Sequence, residues 1–334
     1  MYNGVKVIDV HGHMTTPPEF TVHSANLVNQ RKFVGGRANF KVSDDRLEES
    51  QQHHLEFLNV RDVDYQLISP RPVHMWHWET PPVQHSWCET TNDVIAQIVK
   101  LHPDRFGGVA QLPQNYKLNT KDVVPELRRA INDLGFVGAI VNPDPGANGE
   151  APGMDDDYWY PLYEEAAKLG AVLMIHASIS RDPRLWNIPQ NYQVNNVVGQ
   201  FLATIALEHS RVWQDFPTLK IFVSHLGGAL NRFIMTDESH YFGNKNVPNL
   251  AFDTCAHDAD FLTAGIRQKT VSRVMFGTEA PGAGSGAKRP DTGRPADDIL
   301  PVIKSFGWLT EAEKLDIFHN NAKKFFPLAN RFPV

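Results

Sequence analysis

Short apolar runs of strand length alternate along the chain with segments whose apolar residues recur at helical spacing. Some of the short runs are apolar without interruption, such as Val172-Leu173-Met174-Ile175, which is typical of strands covered on both faces. The pattern predicts eight strands, at residues 5–10, 65–69, 106–112, 137–142, 171–176, 220–224, 249–253 and 273–277.

Helical patterns lie between and after these strands, at residues 122–134, 158–169, 197–213, 297–305 and 310–326. The last of these begins with a capping box, in which Thr310 and Glu313 satisfy each other's backbone amides. Alternation of strands and helices predicts a parallel sheet, and eight strands favour a closed (β/α)₈ TIM barrel. We expect one domain over residues 1–334, with long loops at the C-terminal face, at residues 15–45, 73–87 and 280–295.

Composition and charge exclude several classes of protein. Hydrophobic residues make up 42% and charged residues 21% of the 334 positions, which excludes a largely disordered chain. The formal net charge of −6 argues against a nucleic-acid partner. No apolar run reaches the roughly 20 residues that a membrane helix needs, and the N-terminal residues lack an apolar segment of signal-peptide length. Two cysteines are too few for a disulfide framework, so we expect a cytoplasmic protein.

Histidines and a glutamate follow four of the predicted strands. His11 and His13 end the first strand, two residues apart and therefore on one face. His176 ends the fifth strand, His225 follows the sixth and Glu279 follows the eighth. Because the carboxyl ends of barrel strands meet at one mouth, we expect these five side chains to converge there.

Such a histidine-rich set with one carboxylate predicts a single Zn²⁺ ion, with Mn²⁺ left open. We expect His11, His13, His176 and Glu279 to be the ligands. His225 is then a neutral imidazole that moves protons, and a fifth ligand is the alternative. Asp9 either orients a ligand histidine or caps the first strand.

Motifs over nearly the whole chain resemble the amidohydrolase superfamily, in the amidohydrolase-2 branch related to aminocarboxymuconate-semialdehyde decarboxylase. They are Ile8 to His13, Pro103-Asp104-Arg105-Phe106, Trp159 to Tyr163, Met174 to Ser178, Phe216 to Gly228, Phe276 to Glu279 and Phe318 to Phe326. The resemblance implies a (β/α)₈ barrel, a divalent metal that is usually zinc, and lyase chemistry, typically decarboxylation of hydroxylated aromatic acids. It also implies a homodimer or homotetramer.

Within this branch, some motifs are similar to those of 4-oxalomesaconate hydratases. These include Phe252-Asp253-Thr254-Cys255, Glu279 where decarboxylases mostly carry aspartate, and Tyr192, which the resemblance places near substrate. Two departures stand against that subgroup. Arg184 replaces a cysteine of the hydratases, and Leu226 replaces the first glycine after the histidine of the sixth strand.

The loops at the predicted mouth carry candidate substrate contacts. Arg71 and Arg184 could grip a carboxylate bidentately, His74 could hydrogen-bond it, and Trp76 and Trp186 could flank a flat ring. Solvated arginines and tryptophans that pack a long loop onto the barrel are the alternatives.

The sequence therefore predicts a zinc-dependent lyase for a small carboxylate substrate of aromatic breakdown. Non-oxidative decarboxylation of an aromatic or heteroaromatic acid is the first hypothesis, with Glu279 or His225 as the proton donor. Hydration of 4-oxalomesaconate or a similar unsaturated oxo-acid is the second, with His225 and Tyr192 as catalytic groups. A mononuclear metallohydrolase is the third, because a fold does not fix the chemistry.

Overall fold

A barrel of parallel strands forms the centre of the molecule. The computed structural model describes residues 1–30, 40–115, 119–189, 191–236 and 247–333. Eight strands in these ranges pair in chain order, each parallel to the next. They are β1 (Ile8–His13), β2 (Tyr65–Ser69), β3 (Phe106–Ala110), β4 (Gly138–Val141), β5 (Val172–Ile175), β6 (Lys220–Val223), β7 (Leu250–Asp253) and β8 (Val274–Met275).

Backbone hydrogen bonds between β1 and the β8 region close the sheet on itself. The amide of Val10 donates to the carbonyl of Phe276 at 2.9 Å, and the amide of Glu279 donates to the carbonyl of His11 at 2.7 Å. The predicted (β/α)₈ barrel is therefore confirmed, and its first and last site residues are neighbours in the wall.

Helices surround the barrel. They are α1 (Pro18–Asn29), α2 (Asp44–Val60), α3 (Pro81–Leu101), α4 (Val124–Asn132), α5 (Tyr160–Leu169), α6 (Asn191–Glu208), α7 (Val212–Asp215), α8 (Ala259–Lys269), α9 (Leu300–Lys304), α10 (Glu311–Leu315) and α11 (Asn321–Phe325). The predicted capping box is present, since Thr310 accepts from the amide of Glu313 and the Glu313 carboxylate accepts from that of Thr310. No helix among the described residues is both long and apolar enough to cross a membrane.

Four of these helices (α1, α2, α3 and α8) have no counterpart in the sequence prediction. In α2 the buried stripe consists of Leu47, Gln51, His54 and Leu58. Two of its four members are polar, so the apolar spacing that reveals an amphipathic helix is weak there.

Alternating strand residues supply two cores. In β5, Val172 and Met174 belong to the cluster inside the barrel, whereas Leu173 and Ile175 belong to the layer between barrel and helices. The inner cluster also contains Phe326 and Phe332 from the C-terminal segment, and the Phe332 ring contacts that of Tyr65, the first residue of β2. Aromatic side chains thus fill the N-terminal end of the barrel. The histidines at the strand ends lie at the opposite end.

Candidate active site

The two histidines of β1 are aimed by an irregularity in the strand. Ile8 and Val10 pack inside the barrel, and strict alternation from Val10 would turn His11 and His13 outward. The register of β1 against β2 shifts between Asp9 and Gly12, as in a β-bulge. The rings of both histidines pack edge-on against the ring of His176, with centroids 5.1 and 5.7 Å from it.

Glu279 lies at the centre of the histidine cluster. Its Oε1 is 3.3 Å from Nε2 of His225, 3.5 Å from Nε2 of His176 and 3.9 Å from Nε2 of His13. Donor atoms of His11, His176, His225 and Glu279 all lie within 4.8 Å of one another. The five side chains predicted to converge at the barrel mouth are therefore together.

A hydrogen bond at Nδ1 orients the imidazoles of three of the cluster histidines. Nδ1 of His11 lies 2.7 Å from the Asp253 carboxylate, and Nδ1 of His176 donates to the carbonyl of Ala177 at 2.7 Å. Nδ1 of His225 donates to Oε1 of Gln200 at 2.9 Å. These acceptors place a proton on Nδ1, so Nε2 of His11 and of His176 presents a lone pair to the cluster, whereas Nε2 of His225 faces Glu279.

The cluster fits a divalent metal ion. Nε2 of His11, His13 and His176 is buried without a hydrogen-bond partner, a costly arrangement unless a ligand fills the centre. Burial lowers the pKa of both His13 and His176 to about 4, so their imidazoles are neutral at pH 7 and can act as ligands. Imidazole nitrogens with one carboxylate oxygen are donors that suit zinc.

Charge attraction couples His225 to Glu279. Burial lowers the pKa of His225, but the facing carboxylate outweighs burial and the net shift is upward. Burial raises the pKa of Glu279, and the surrounding imidazoles more than reverse this, so that it lies well below its usual range. Glu279 is therefore a carboxylate at neutral pH, either as a ligand or as an acceptor for the proton of His225.

Both of these residues have left-handed backbone conformations, with φ of 55° at His225 and 63° at Glu279. Such a conformation is unfavourable for a residue with a side chain and persists where the surroundings impose it. The amide of His225 donates to Asp253 Oδ1 at 2.8 Å, and the bond from Glu279 to His11 fixes the other position. The Asp253 carboxylate thus positions both His11 and His225.

The model of the amidohydrolase-2 family, described as amidohydrolase, matches residues 8–328 of this chain. The chain belongs to this family. Its match spans all eight strands and every residue of the histidine cluster.

Known relatives include hydratases and decarboxylases. The chain is 30% identical to the 2-keto-4-carboxy-3-hexenedioate hydratase of a Sphingobium species, over 96% of each chain. It is 28% identical to the 2-amino-3-carboxymuconate-6-semialdehyde decarboxylase of Dictyostelium discoideum, over 82% of this chain and 76% of the relative. The crystal structure of 4-oxalomesaconate hydratase from Rhodopseudomonas palustris superposes with a TM-score of 0.84 at 27% identity, covering 97% and 96% of the two chains. The chain is thus a member of an enzyme family with lyase relatives.

Beneath the cluster, Asp9 links β1, β2 and the segment after β8. Its carboxylate accepts from the amide of His11 at 2.9 Å, from Nε2 of Gln66 at 2.9 Å and from Oγ1 of Thr278 at 2.6 Å. Burial raises the pKa of Asp9 to about 7, although these hydrogen bonds lower it. The sequence predicted that Asp9 either orients a ligand histidine or caps the first strand. The hydrogen bond from the His11 amide shows that Asp9 positions the backbone of His11 rather than its ring.

The predicted substrate residues are divided between two regions of the mouth. Arg71 is half-buried and lines a cavity of about 270 Å³ together with the exposed His74. Trp76 stacks on the buried Trp87, with ring centroids 4.7 Å apart, so it packs its loop onto the barrel.

The other candidates lie on the loop after β5 and in helix α6. The Arg184 side chain is 87% exposed and paired with Asp182, and Trp186 is 68% exposed. The larger cavity of about 660 Å³ that Arg184 lines has no member of the histidine cluster among its described lining residues. The side chain of Tyr192 lies outside the described residues, so its role stays a prediction.

Sequence reasoning did not assign roles to Asp253 and Gln200, the partners of His11 and His225. Asp253 ends β7 at the same mouth, so the strand-end rule that found the histidines also applies to it. Gln200 lies inside α6, where a glutamine carries no such signal.

Proposed function

We propose that this protein is a metal-dependent hydratase that adds water across the carbon–carbon double bond of an unsaturated oxo-carboxylic acid. The observation that carries the proposal is the placement of His225. Its Nε2 lies in the histidine cluster, 3.3 Å from Oε1 of Glu279, and its Nδ1 donates a hydrogen bond to Oε1 of Gln200. This leaves one imidazole nitrogen free to transfer a proton at the point where substrate would meet the metal.

Decarboxylation, the first hypothesis from the sequence, loses part of its support. In the sequence it was supported by Arg71 and Arg184 as carboxylate grips, by the turn at Leu226, and by tryptophans as walls for an aromatic ring. Arg184 is paired with Asp182, and Trp186 is mostly exposed to solvent. The near full-length similarity to a hydratase favours hydration, and the decarboxylase relative keeps CO₂ loss as the second candidate.

We propose that His11, His13, His176 and Glu279 hold one Zn²⁺ ion, with Mn²⁺ as the alternative. When bound, the ion would act as a Lewis acid that polarises substrate and lowers the pKa of water. The unpartnered Nε2 atoms of the three histidines support this ligand set.

Hydration requires one proton to leave water and one to reach carbon. Glu279 and His225 face each other at 3.3 Å, so a proton can pass between a carboxylate oxygen and an imidazole nitrogen without rearrangement of either side chain. Gln200 keeps the His225 ring in one orientation during this exchange. Tyr192, on α6, is a further candidate for protonating carbon.

Mass spectrometry on the metal-replete protein tests the proposal. We expect 4-oxalomesaconate to give a product heavier by one water, and His225→Ala to abolish turnover. His209→Ala, at an exposed histidine just beyond α6, is the matched control and should leave turnover unchanged. Hydroxylated aromatic acids that lose CO₂, with no change in 4-oxalomesaconate, would instead establish the decarboxylase.

A further inference from the structure

The segment after β8 packs closely against Glu279, the carboxylate of the histidine cluster. A Cβ placed on Gly282 would lie 2.5 Å from the carbonyl oxygen of Glu279 and 3.2 Å from its Cγ. Gly282 itself has an extended backbone, with a φ of −141°, so glycine is required here for space rather than for an unusual conformation. Gly282 therefore touches the stem of the Glu279 side chain as well as its backbone.

A serine hydroxyl holds Gly282 in this place. The amide of Gly282 donates to Oγ of Ser285 at 3.1 Å, and the amide of Ser285 donates to the carbonyl of Gly282 at 3.2 Å. The same hydroxyl donates to Oδ2 of Asp297, whose Oδ1 accepts from the buried Arg61 at 2.8 Å. A continuous series of contacts thus connects the end of α2 with Glu279.

A second glycine of the segment is packed as tightly. A Cβ on Gly284 would lie 2.6 Å from Nε2 of His257 and 2.9 Å from Cβ of Asp297. His257 belongs to the segment after β7, the strand that ends at Asp253. Residues 282–285 therefore pack against Glu279 through the first glycine and against His257 and Asp297 through the second.

Glu279 needs support from its surroundings. Its backbone is left-handed, with a φ of 63°, a conformation that persists only where neighbouring groups impose it. The hydrogen bond from its amide to His11 holds the backbone nitrogen but does not restrict the side chain. A metal ligand or a proton acceptor must be held within about 0.5 Å of its working position. The contact with Gly282 supplies such a restraint at the side-chain stem.

We infer that Gly282, Ser285 and Asp297 are positioning residues for Glu279. They act through the stem and backbone of Glu279, and their role is to keep its carboxylate within reach of the histidine nitrogens. This inference rests on the proposed function, since it takes Glu279 to be the metal ligand and proton acceptor of the site.

Zinc affinity, measured by competition with a chromogenic chelator, tests the inference in Gly282→Ala. The added methyl group must displace Glu279, so we expect zinc to bind about 10- to 100-fold more weakly. In the hydration assay of the metal-replete variant, kcat should fall by more than KM rises. Gly286→Ala is the matched control, because Gly286 has a φ of −86° and a Cβ there would meet no atom within 4 Å. It should bind zinc and turn over like the wild type.

A pair of serine variants separates positioning from a merely structural role. Ser285→Ala should weaken zinc binding, and Ser285→Thr, which keeps the hydroxyl, should restore most of the affinity. Urea unfolding of the metal-free variants measures stability independently. A variant series that loses stability but keeps the zinc affinity of the wild type would overturn the inference, as would equal zinc affinity in folded Gly282→Ala and Gly286→Ala.

The same measurements distinguish this inference from the proposed function. Zinc affinities that follow the expected order, in a protein that fails to hydrate 4-oxalomesaconate, would contradict the proposed hydratase. The positioning of Glu279 by Gly282 and Ser285 would stand in that case.

Discussion

At the scale of single residues, the site depends on which nitrogen of each imidazole carries its proton. Asp253 accepts from the ring of His11 and from the backbone of His225, so one carboxylate sets the direction of two imidazoles. Partners of this kind fix the tautomer and typically change metal affinity by about 10- to 100-fold when removed.

The metal content of histidine variants distinguishes the ligands from the proton carrier. We expect His11→Ala, His13→Ala and His176→Ala to purify with little metal, because each loses a buried, unpartnered nitrogen donor. His225→Ala should keep about one ion per chain and lose turnover. Elemental analysis by mass spectrometry measures this and also separates zinc from manganese.

If the His225→Ala protein lacks metal and the His13→Ala protein keeps it, His225 is a metal ligand and His13 is not. In that case the ligands would be His11, His176, His225 and Glu279, the four residues whose donor atoms lie within 4.8 Å of one another.

Sequence reasoning reached the five cluster residues because each lies at or just after the end of a strand, and parallel strands of a barrel end at one mouth. It could not foresee how β1 aims its histidines, since the bulge between Asp9 and Gly12 depends on the register of β1 against β2. Nor could it find Gln200, whose role depends on the packing of α6 against the turn after β6.

At the scale of elements, the turn after β6 is wedged against α6. Gly228 has a φ of 86°, and a Cβ placed there would lie 2.3 Å from the carbonyl oxygen of Val197 and 2.6 Å from the amide nitrogen of Phe201. Only glycine fits at this approach, and the contact lies three residues from His225. The helix that supplies Gln200 therefore also fixes the turn that carries its partner.

Gly228→Ala should lower both stability and turnover. Beyond the roughly 1–2 kcal/mol for a left-handed alanine, the variant must shift the turn away from α6, and a displaced His225 should reduce kcat by about 10- to 100-fold. Urea unfolding and the hydration assay measure the two effects.

Gly135→Ala is the matched control for this prediction. Gly135 has a φ of 75°, but a Cβ there would meet no atom within 4 Å. It should lose only the stability that the backbone conformation accounts for and keep full activity. Equal stability and activity in the two variants would show that the close packing of Gly228 against α6 does not position His225.

At the scale of the whole molecule, a buried ion pair joins two segments that are 236 positions apart in the chain. Nη2 of Arg61, at the end of α2, donates to Oδ1 of Asp297 at 2.8 Å, and the side chains are 5% and 1% exposed. The other oxygen of Asp297 accepts from Ser285, in the loop after β8. The pair thus fastens the loop that follows Glu279 to the helix between β1 and β2.

Arg61→Leu should destabilise the protein by about 3–5 kcal/mol, because it leaves the Asp297 carboxylate buried without a counter-charge. The double variant Arg61→Leu/Asp297→Asn should recover part of this loss, since an amide carries no charge and can still bond to Ser285. Urea unfolding of both proteins measures the difference.

The exposed pair of Arg46 with Glu19 provides the comparison, with a distance of 2.9 Å and side chains 36% and 53% exposed. Its loss in Arg46→Gln should cost no more than about 1 kcal/mol. A similar small cost for Arg61→Leu would show that water or another group neutralises Asp297.

The barrel itself was predictable because all eight strands have continuous or alternating apolar patterns. Helices with polar buried stripes, such as α2, were not, because Gln51 and His54 are buried there through hydrogen bonds to residues distant in the chain. The homo-oligomer and the cytoplasmic location stay predictions.

Two arcs of the barrel mouth carry different sets of polar residues. Arg71, Thr91 and Gln111 come from the segments around β2 and β3, whereas His176, His225 and Glu279 follow β5, β6 and β8. Residues of the first arc can be replaced without replacing a residue of the histidine cluster. Substitutions in the loops after β2 and β3 would therefore reshape that side of the barrel mouth while the strand ends that carry the cluster stay in place.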